Sequence, residues 1–262
     1  MVKRTCFRVL ATLLACALTF QPAALAAETV PVRHAEGLVH GFLVLRTLDG
    51  EALAEGDLIQ TSKGDRVTNH LVFRFKNGSI HDETAVFRQR HTFQLVSDHL
   101  VQKGPSFPHP MDVSIDALTG QVNVNYTDGD KVQHLSKHLD LSPDVSNGIV
   151  FTLLKNVKLT SSLTLSMVAA TPKPRIVKLV VTSKGEDDFW IGSTKRTATH
   201  YVVKVEIGGA AGLLAPLLGK QPPDTSVWIL GGEAPAFVKS EGPLFEGGPV
   251  WRIELASPKW QK

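Results

Sequence analysis

An alternation of apolar and polar side chains, with a period of two residues, constrains the fold of this chain more than any other feature. In residues 66–75, Val67, Leu71 and Phe73 share one parity, whereas the other parity is mostly charged or polar. Side chains of a β-strand point alternately to its two faces, so this segment is predicted to bury one face and leave the other in water. That arrangement is typical of antiparallel sheets.

Turn residues divide most of the chain into similar segments. Asp49-Gly50 and Asn77-Gly78 are strong hairpin signals, because their residues accept the backbone angles of tight turns. The segments between such turns predict strands over residues 38–47, 52–61, 66–75, 79–87, 91–102, 113–116, 121–126, 131–141, 163–170, 176–183, 189–192, 198–207, 227–230, 236–239 and 250–255.

A different period predicts the main helix. Ser142 suits the N-cap position, Pro143 suits the first helical position, and Asp144 complements the helix dipole. Apolar residues at three- and four-residue spacing follow, which predicts a helix near 143–155. A second, short apolar helix or loop is predicted near 210–219. The fold class is therefore predicted to be mainly β, an antiparallel sheet with one main helix.

The N-terminal segment has the layout of a secretory signal. Lys3, Arg4 and Arg8 form a basic head, and residues 9–20 form an apolar run. Ala24-Leu25-Ala26 then offers small residues at the two positions that a signal peptidase reads. We therefore expect a cleaved signal peptide and a mature protein that is periplasmic or secreted.

Export divides the chain into a signal peptide, residues 1–26, and a single β-rich domain, residues 27–262, with a sub-boundary near 156–162 as an alternative division. Leu13-Leu14-Ala15-Cys16 faintly resembles a lipoprotein box, so anchoring through a lipid on Cys16 is an alternative to ordinary cleavage. Both cysteines of the chain precede residue 27. The mature protein is therefore expected to contain no disulfide.

The charge balance gives no support for nucleic-acid binding. Of the 28 Lys and Arg residues, three lie in residues 1–26, and the remaining 25 equal the 25 Asp and Glu residues in number. Nucleic-acid surfaces need a clustered surplus of Lys and Arg. No later segment approaches the roughly 18 consecutive apolar residues of a membrane helix. We expect no transmembrane helix after signal removal.

The order of these elements resembles an architecture of exported bacterial proteins. The segments that carry the resemblance are Ala198 to Val205 and Val227-Trp228-Ile229-Leu230, which leads to residues 235–238. With the signal, the meander and the interposed helix, they resemble the half-barrel envelope proteins, which include the periplasmic lipoprotein-localisation carriers and uncharacterised secreted β-rich families. The resemblance implies a curved, half-barrel-like sheet that wraps the helix and leaves an apolar concavity for acyl chains. It transfers no ligand-contacting residue.

Candidate catalytic and metal-binding groups are few. His134, His138 and Asp140 share one strand face, but strand residues four apart are separated by about 13 Å, too far for one metal ion. The tripeptide His81-Asp82-Glu83 is interpreted as a solvated strand start, because adjacent side chains point to opposite faces. No G-x-S-x-G nucleophile motif occurs. We predict no catalytic residue, no metal site and no cofactor.

Two apolar features are candidate contacts for a ligand. Leu213, Leu214, Leu217 and Leu218 form an apolar segment between glycines, which would contact a hydrophobic ligand if it covered a concavity. The alternative interpretation is ordinary core packing, the usual place of leucine. Trp190 is the other candidate, because an exposed tryptophan marks a contact site.

These features predict a non-enzymatic envelope protein that binds a hydrophobic ligand or a protein partner. That function requires an apolar cavity of at least ~300 Å³ beneath residues 213–218. A structural module that adds a strand to a partner is one alternative, and it requires a long sheet edge unguarded by Pro or Lys. A periplasmic hydrolase is the other alternative, and it requires convergence of two or more of His81, His91, His134, His138 and His200.

Overall fold

The computed structural model describes residues 28–129, 131–158, 162–170, 173–191, 193–207 and 221–256, which form fourteen strands and one helix. The helix, α1, is Val150–Leu154. The strands are β1 (Val39–Arg46), β2 (Ala52–Lys63), β3 (Arg66–Phe75), β4 (Ile80–Gln89), β5 (Phe93–Lys103), β6 (Met111–Asp116), β7 (Gln121–Asp128), β8 (Lys131–His138), β9 (Leu163–Ala169), β10 (Arg175–Ile191), β11 (Thr194–Glu206), β12 (Thr225–Leu230), β13 (Ala236–Gly242) and β14 (Trp251–Leu255).

All fourteen strands belong to one antiparallel sheet. The sheet follows chain order from β8 back to β1, then β14, and then runs back through the chain from β13 to β9. The two halves of the chain therefore meet where β1 pairs with β14, in the register Leu43 opposite Leu255 and Leu45 opposite Ile253. The mainly β, antiparallel fold predicted from the alternation is confirmed.

The sheet curves around α1. Ile149, Leu153 and Leu154 are buried in one apolar cluster, which also holds residues of β3–β5, such as Phe87, and residues of β9–β12, such as Leu179. These two groups of strands lie at distant places in the strand order. A single short helix contacts both of them only because the sheet wraps around it. We call the face toward α1 the inner face.

The strand β10 joins two segments that the sequence analysis predicts as separate. It is 17 residues long and pairs with β11 from Lys178 to Ile191, with one bulge between Ser183 and Gly185. Residues 183–188 are exposed, so their side chains have no apolar alternation to mark a strand. The backbone ladder to β11 continues there without a buried face.

The helix is shorter than the prediction of 143–155. Its N-cap is Ile149, without a side-chain cap, so Ser142 and Pro143 do not begin it. Gly148 adopts a φ of +66°, a left-handed conformation that ends any helix from the preceding residues. Before it, Val145 bridges to Ser166 of β9. Residues 144–147 therefore follow the sheet edge instead of forming a helical turn.

Side chains satisfy the free edge of β9. Asn147 accepts a hydrogen bond from the Val168 amide through Oδ1 (2.8 Å) and donates one from Nδ2 to the Val168 carbonyl (3.0 Å). Ser146 also donates to the Ser166 carbonyl, at 2.8 Å. At the other end of the sheet, Nζ of Lys137 on β8 donates to the Pro174 carbonyl, at 3.0 Å. Pro174 immediately precedes β10, so β8 at one end of the strand order lies near the β9–β10 hairpin at the other end.

Candidate functional site

An interior cavity of about 470 Å³ lies between α1 and the inner face of the sheet. Leu71 of β3 and Leu100 of β5 line one side, and Leu179 of β10 and Val205 of β11 line another. Phe151 of α1 also lines it, stacked on Phe237 of β13 with ring centroids 4.8 Å apart. Aliphatic and aromatic side chains therefore form most of the wall.

One wall of the cavity is polar. Cross-strand pairing places its residues in neighbouring rows, because Asn69 pairs with Ala85, which pairs with Asp98, and His81 pairs with Gln102. Five of its residues are at most 9% exposed, and Glu83 has a side chain that is 22% exposed. The residues of this polar wall, all from β2–β5, are Gln60, Asn69, His81, Glu83, Asp98 and Gln102.

The hydrogen bonds of Gln102 fix the tautomer of His81. Nε2 of Gln102 donates to the Leu244 carbonyl at 2.8 Å, which identifies it as the amide nitrogen. The same nitrogen lies 2.9 Å from Nδ1 of His81, so this ring nitrogen is the acceptor. The proton of the neutral ring is then on Nε2. That N–H has no hydrogen-bond partner, because the nearest carboxylate oxygen, on Glu83, is 3.9 Å away.

Two carboxyl groups converge beneath Gly148, in the turn before α1. A Cβ placed on this glycine would lie 2.8 Å from Oδ1 of Asp98 and 3.5 Å from Oε1 of Glu83. It would also lie 2.6 Å from Cβ of Ala85. The carboxyl groups therefore reach the space that any side chain at position 148 would need. Glycine is required here for its close approach as well as for its positive φ.

Burial shifts the pKa values of this wall. Burial raises the pKa of Glu83 from 4.5 to about 7. Burial raises the pKa of Asp98 well above its ordinary value, and repulsion from Glu83 adds to the effect. Burial lowers the pKa of His81 from 6.5 to about 4, so its ring is neutral at physiological pH. The carboxyl pair is therefore partly protonated at neutral pH.

The polar wall has unused hydrogen-bonding capacity. Oδ1 of Asn69, Oδ1 of Asp98 and Oε1 of Gln102 are buried without a partner, as is Nε2 of His81. Buried polar groups are normally paired, and leaving one unpaired costs about 1–3 kcal/mol. Three oxygens and one N–H of the polar wall therefore have no hydrogen-bond partner, and a bound ligand can supply one.

The basic groups of the cavity have acidic partners. Nζ of Lys155 lies 2.7 Å from Oε1 of Glu36. Arg175 lies 3.7 Å from Glu246. Neither ion pair involves Glu83 or Asp98. Among the described residues, the carboxyl pair therefore has no Lys or Arg side chain in ion-pair contact, and its basic neighbour is the neutral ring of His81.

Most of the predicted ligand contacts cannot be placed. Leu213, Leu214, Leu217 and Leu218 lie outside the described residues, as does the predicted element at 210–219. Ile207 and Pro222, which flank that stretch, both line the cavity. Trp190 is 65% exposed on β10 and does not line the cavity. Its role as a ligand or partner contact stays a prediction.

The interpretation of His81-Asp82-Glu83 as a solvated strand start was wrong. His81 is 4% exposed and lines the cavity with Glu83, whereas Asp82 lies on the outer face, 2.9 Å from Nε2 of His70. Residues 81 and 83 share their parity with the buried Ala85 and Phe87. The sequence contains this parity, whereas the adjacent turn at Asn77-Gly78 favours a solvated strand start.

The hydrolase and strand-addition alternatives each require features that can be sought among the described residues. Of the five histidines that the hydrolase alternative names, His81 is the one that lines the cavity. Within the described part of the chain, no three His, Cys, Asp or Glu side chains are arranged to hold a metal ion. No described helix is long and apolar enough to cross a membrane. The β9 edge is satisfied by Asn147, and β8 carries Lys131 and Lys137, features that discourage strand addition.

Comparison with known proteins finds a similarity of structure but no match to a family model or a curated protein. Among solved structures, the chain is similar to a beta-barrel-like protein of domain of unknown function DUF1849 from Brucella abortus. The similarity covers 90% of this chain and 100% of that chain, with 11% sequence identity and a TM-score of 0.48. A similarity of this extent assigns no function.

Proposed function

We propose that the protein is an exported, non-enzymatic binding protein that holds an amphipathic ligand in its interior cavity. The observation that carries this proposal is the cavity itself. Its volume of about 470 Å³ falls within the range of about 300–1,000 Å³ that is typical of small-molecule sites.

The lining supports an amphipathic rather than a purely apolar ligand. An acyl chain suits the leucine and phenylalanine side chains that form most of the wall, since burying a methylene group is worth about 0.8 kcal/mol. A polar headgroup suits the polar wall on β2–β5, where buried atoms of Asn69, Asp98 and Gln102 lack partners. One ligand with both parts would satisfy the whole surface.

Export and the resemblance to half-barrel envelope proteins support the same proposal. The signal-like residues 1–26 direct the chain out of the cytoplasm. The lipoprotein-localisation carriers combine such export with an apolar concavity for acyl chains. The proposed ligand class is accordingly an acyl-chain amphiphile of the cell envelope.

Filling the cavity tests this function. We expect Leu100→Trp, on the cavity wall, to weaken the binding of decanol by at least about tenfold, because the larger ring occupies the space of the chain. Isothermal titration calorimetry on the purified protein measures the affinity. Leu118→Trp is the matched control, since Leu118 is 66% exposed and outside the cavity. Leu71→Trp repeats the test should the first variant fold poorly.

Two results would contradict the proposal. One is equal decanol affinity in the wild type and both cavity variants, which would place the binding elsewhere. The other is that the wild-type protein shows no measurable binding of any amphiphile with a ten-carbon chain. Native mass spectrometry of protein purified from its own envelope complements the titration, because a retained lipid identifies the natural ligand.

A further inference from the structure

We infer that the polar wall selects an amphiphile with a positively charged primary amine headgroup, held between Glu83 and Asp98. This inference rests on the proposed function and names the headgroup class that the cavity takes.

The charges at this wall favour a cation. Two carboxyl groups approach each other beneath Gly148, and buried charges in proteins are normally paired. The polar groups beside the pair are His81, whose Nε2 lies 3.9 Å from Glu83, and the uncharged amide Asn69, which lies across Ala85 from Asp98. Lys155 and Arg175, the basic residues of the cavity, contact Glu36 and Glu246 instead. A bound ammonium group would supply the missing positive charge.

The unpaired atoms favour a hydrogen-bond donor. Two buried acceptor oxygens without partners, on Asn69 and Asp98, lie on either side of Ala85 in one cross-strand row. An ammonium group carries three N–H donors and no acceptor, as the lysine side chain does. A carboxylate headgroup carries only acceptors, so it would leave the Asn69 oxygen unpaired, and the ionised fraction of the acidic pair would repel it. A hydroxyl headgroup has one donor and satisfies one oxygen.

These groups form a built site rather than an acidic surface cluster. Asn69, Asp98 and Gln102 are each at least nine-tenths buried, and each lines the cavity. Gln102 is fixed by its hydrogen bonds to the Leu244 carbonyl and to His81. Gln102 is therefore held in place before any ligand arrives, and burial restricts the side chains of Asn69 and Asp98, which lowers the ordering cost of binding.

Binding of an amine has a proton signature. The carboxyl pair holds protons at neutral pH in the empty cavity, as the raised pKa of Glu83, about 7, indicates. A cation within contact distance stabilises the ionised form of a carboxyl group. The pair therefore releases a proton to the buffer when an ammonium group binds. A neutral headgroup leaves the protons in place.

Three ligands with the same chain separate the headgroup from the tail. The probes are decylamine, decanol and decanoate, titrated calorimetrically into the purified protein at pH 7 in two buffers of different ionisation enthalpy. At this pH an alkyl amine is fully charged, like lysine. We expect decylamine to bind at least about tenfold more tightly than decanol. Decanoate should bind most weakly, and only decylamine should release protons.

The double substitution Glu83→Gln with Asp98→Asn tests the assigned residues. It should weaken decylamine binding by at least about tenfold, and by a larger factor than it weakens decanol binding. Both replacements keep the side-chain shape, and either single variant serves if the double variant does not fold. Asp112→Asn is the matched control, because Asp112 is exposed on β6 and pairs with His99 outside the cavity.

The outcomes distinguish the headgroup inference from the proposed function. If decanol binds and decylamine binds no more tightly, the headgroup inference is overturned while the proposed function stands. The same follows if decylamine binding is unchanged by the double variant or releases no proton. If none of the three probes binds, the proposed function fails and the inference fails with it.

Discussion

At the scale of single residues, the unusual feature of this protein is a group of ionisable and amide side chains on the inner face of an otherwise apolar sheet. Asn69 and Glu83 occupy positions whose strand neighbours of the same parity, such as Val67 and Phe87, are fully buried. Each such position costs stability, because its polar atoms lose water without gaining partners. We interpret this cost as the consequence of a binding site.

The pKa of Glu83 predicts how that cost varies with pH. The folded chain keeps the Glu83 proton up to about pH 7, whereas the unfolded chain releases it near 4.5. The contribution of Glu83 to the free energy of unfolding of the wild type is therefore lost as the pH rises from about 4.5 to about 7. Relative to the wild type, Glu83→Gln should gain roughly 3 kcal/mol in free energy of unfolding between about pH 4 and about pH 8.

Urea denaturation at several pH values measures this difference. The comparison of variant with wild type removes the opposite contribution of His81, whose lowered pKa makes the folded state lose stability as pH falls toward 4. Glu55→Gln, at an exposed position on β2, is the control and should change stability by less than about 0.5 kcal/mol at either pH. A constant difference between Glu83→Gln and the wild type would show that Glu83 is not buried as described.

Gly148 gives a second residue-scale prediction. Gly148→Ala should lower the free energy of unfolding by about 1 kcal/mol for the left-handed backbone, and by a further ~1–3 kcal/mol for the clash with Ala85 and Asp98. Gly64→Ala is the matched control, because Gly64 has a nearly equal φ of +62° and open space around it. Equal losses of stability in the two variants, measured by urea denaturation, would contradict the close approach at Gly148.

The alternation in the sequence identifies part of the polar wall. A β-bulge explains why it does not identify the rest. Asn69, His81 and Glu83 keep the parity of buried neighbours, so alternation alone could have identified them. In β5 the register shifts between Val86 and Phe87 of the partner strand. The inward parity changes from odd, at Leu95, to even, at Asp98. Without knowledge of the bulge, Asp98 is assigned to the solvent face.

At the scale of elements, strand prediction was successful because glycine turns bounded clear alternation. The helix was less well predicted. Its N-terminal signals, Ser142 and Pro143, are followed by a segment in which Val145 bridges to β9. Asp144 is 6% exposed rather than on a solvated first turn. Long-range pairing with β9 overrides local helix signals here, and the separation of 21 residues between Asn147 and Val168 hides it from sequence analysis.

The cover of the β9 edge is a prediction at this scale. Asn147→Ala removes both hydrogen bonds to Val168, which leaves a buried backbone N–H and carbonyl without partners. We expect a loss of about 1–3 kcal/mol in free energy of unfolding. Hydrogen exchange should show faster exchange of the Val168 amide. Asn123→Ala, at an exposed position on β7, is the control, and unchanged protection at Val168 in Asn147→Ala would contradict the role of Asn147.

At the scale of the whole molecule, one sheet joins both halves of the chain through the β1–β14 pair. The helix adds a second connection, because its cluster contains residues from both halves. We therefore expect one cooperative unfolding transition. Trp190, Trp228 and Trp251 lie on β10, β12 and β14, so their fluorescence follows the C-terminal half of the sheet, whereas circular dichroism follows every strand.

Coincident urea transitions by these two signals are the expected result. Separate transitions would instead support the alternative division near residues 156–162, with a C-terminal unit that unfolds on its own. Gly64→Ala, which destabilises one half without touching the shared core, should move both signals to the same midpoint. A shift confined to circular dichroism would contradict cooperative coupling.

A ligand held in the space inside the curved sheet can be located directly. Crystals of the protein grown with a bromine-tagged dodecanol give an anomalous diffraction peak at the bromine position. We expect a peak inside the cavity, between Leu100 of β5 and Val205 of β11. Bromine peaks found only on the outer face of the sheet, with the cavity free of ligand density, would contradict it.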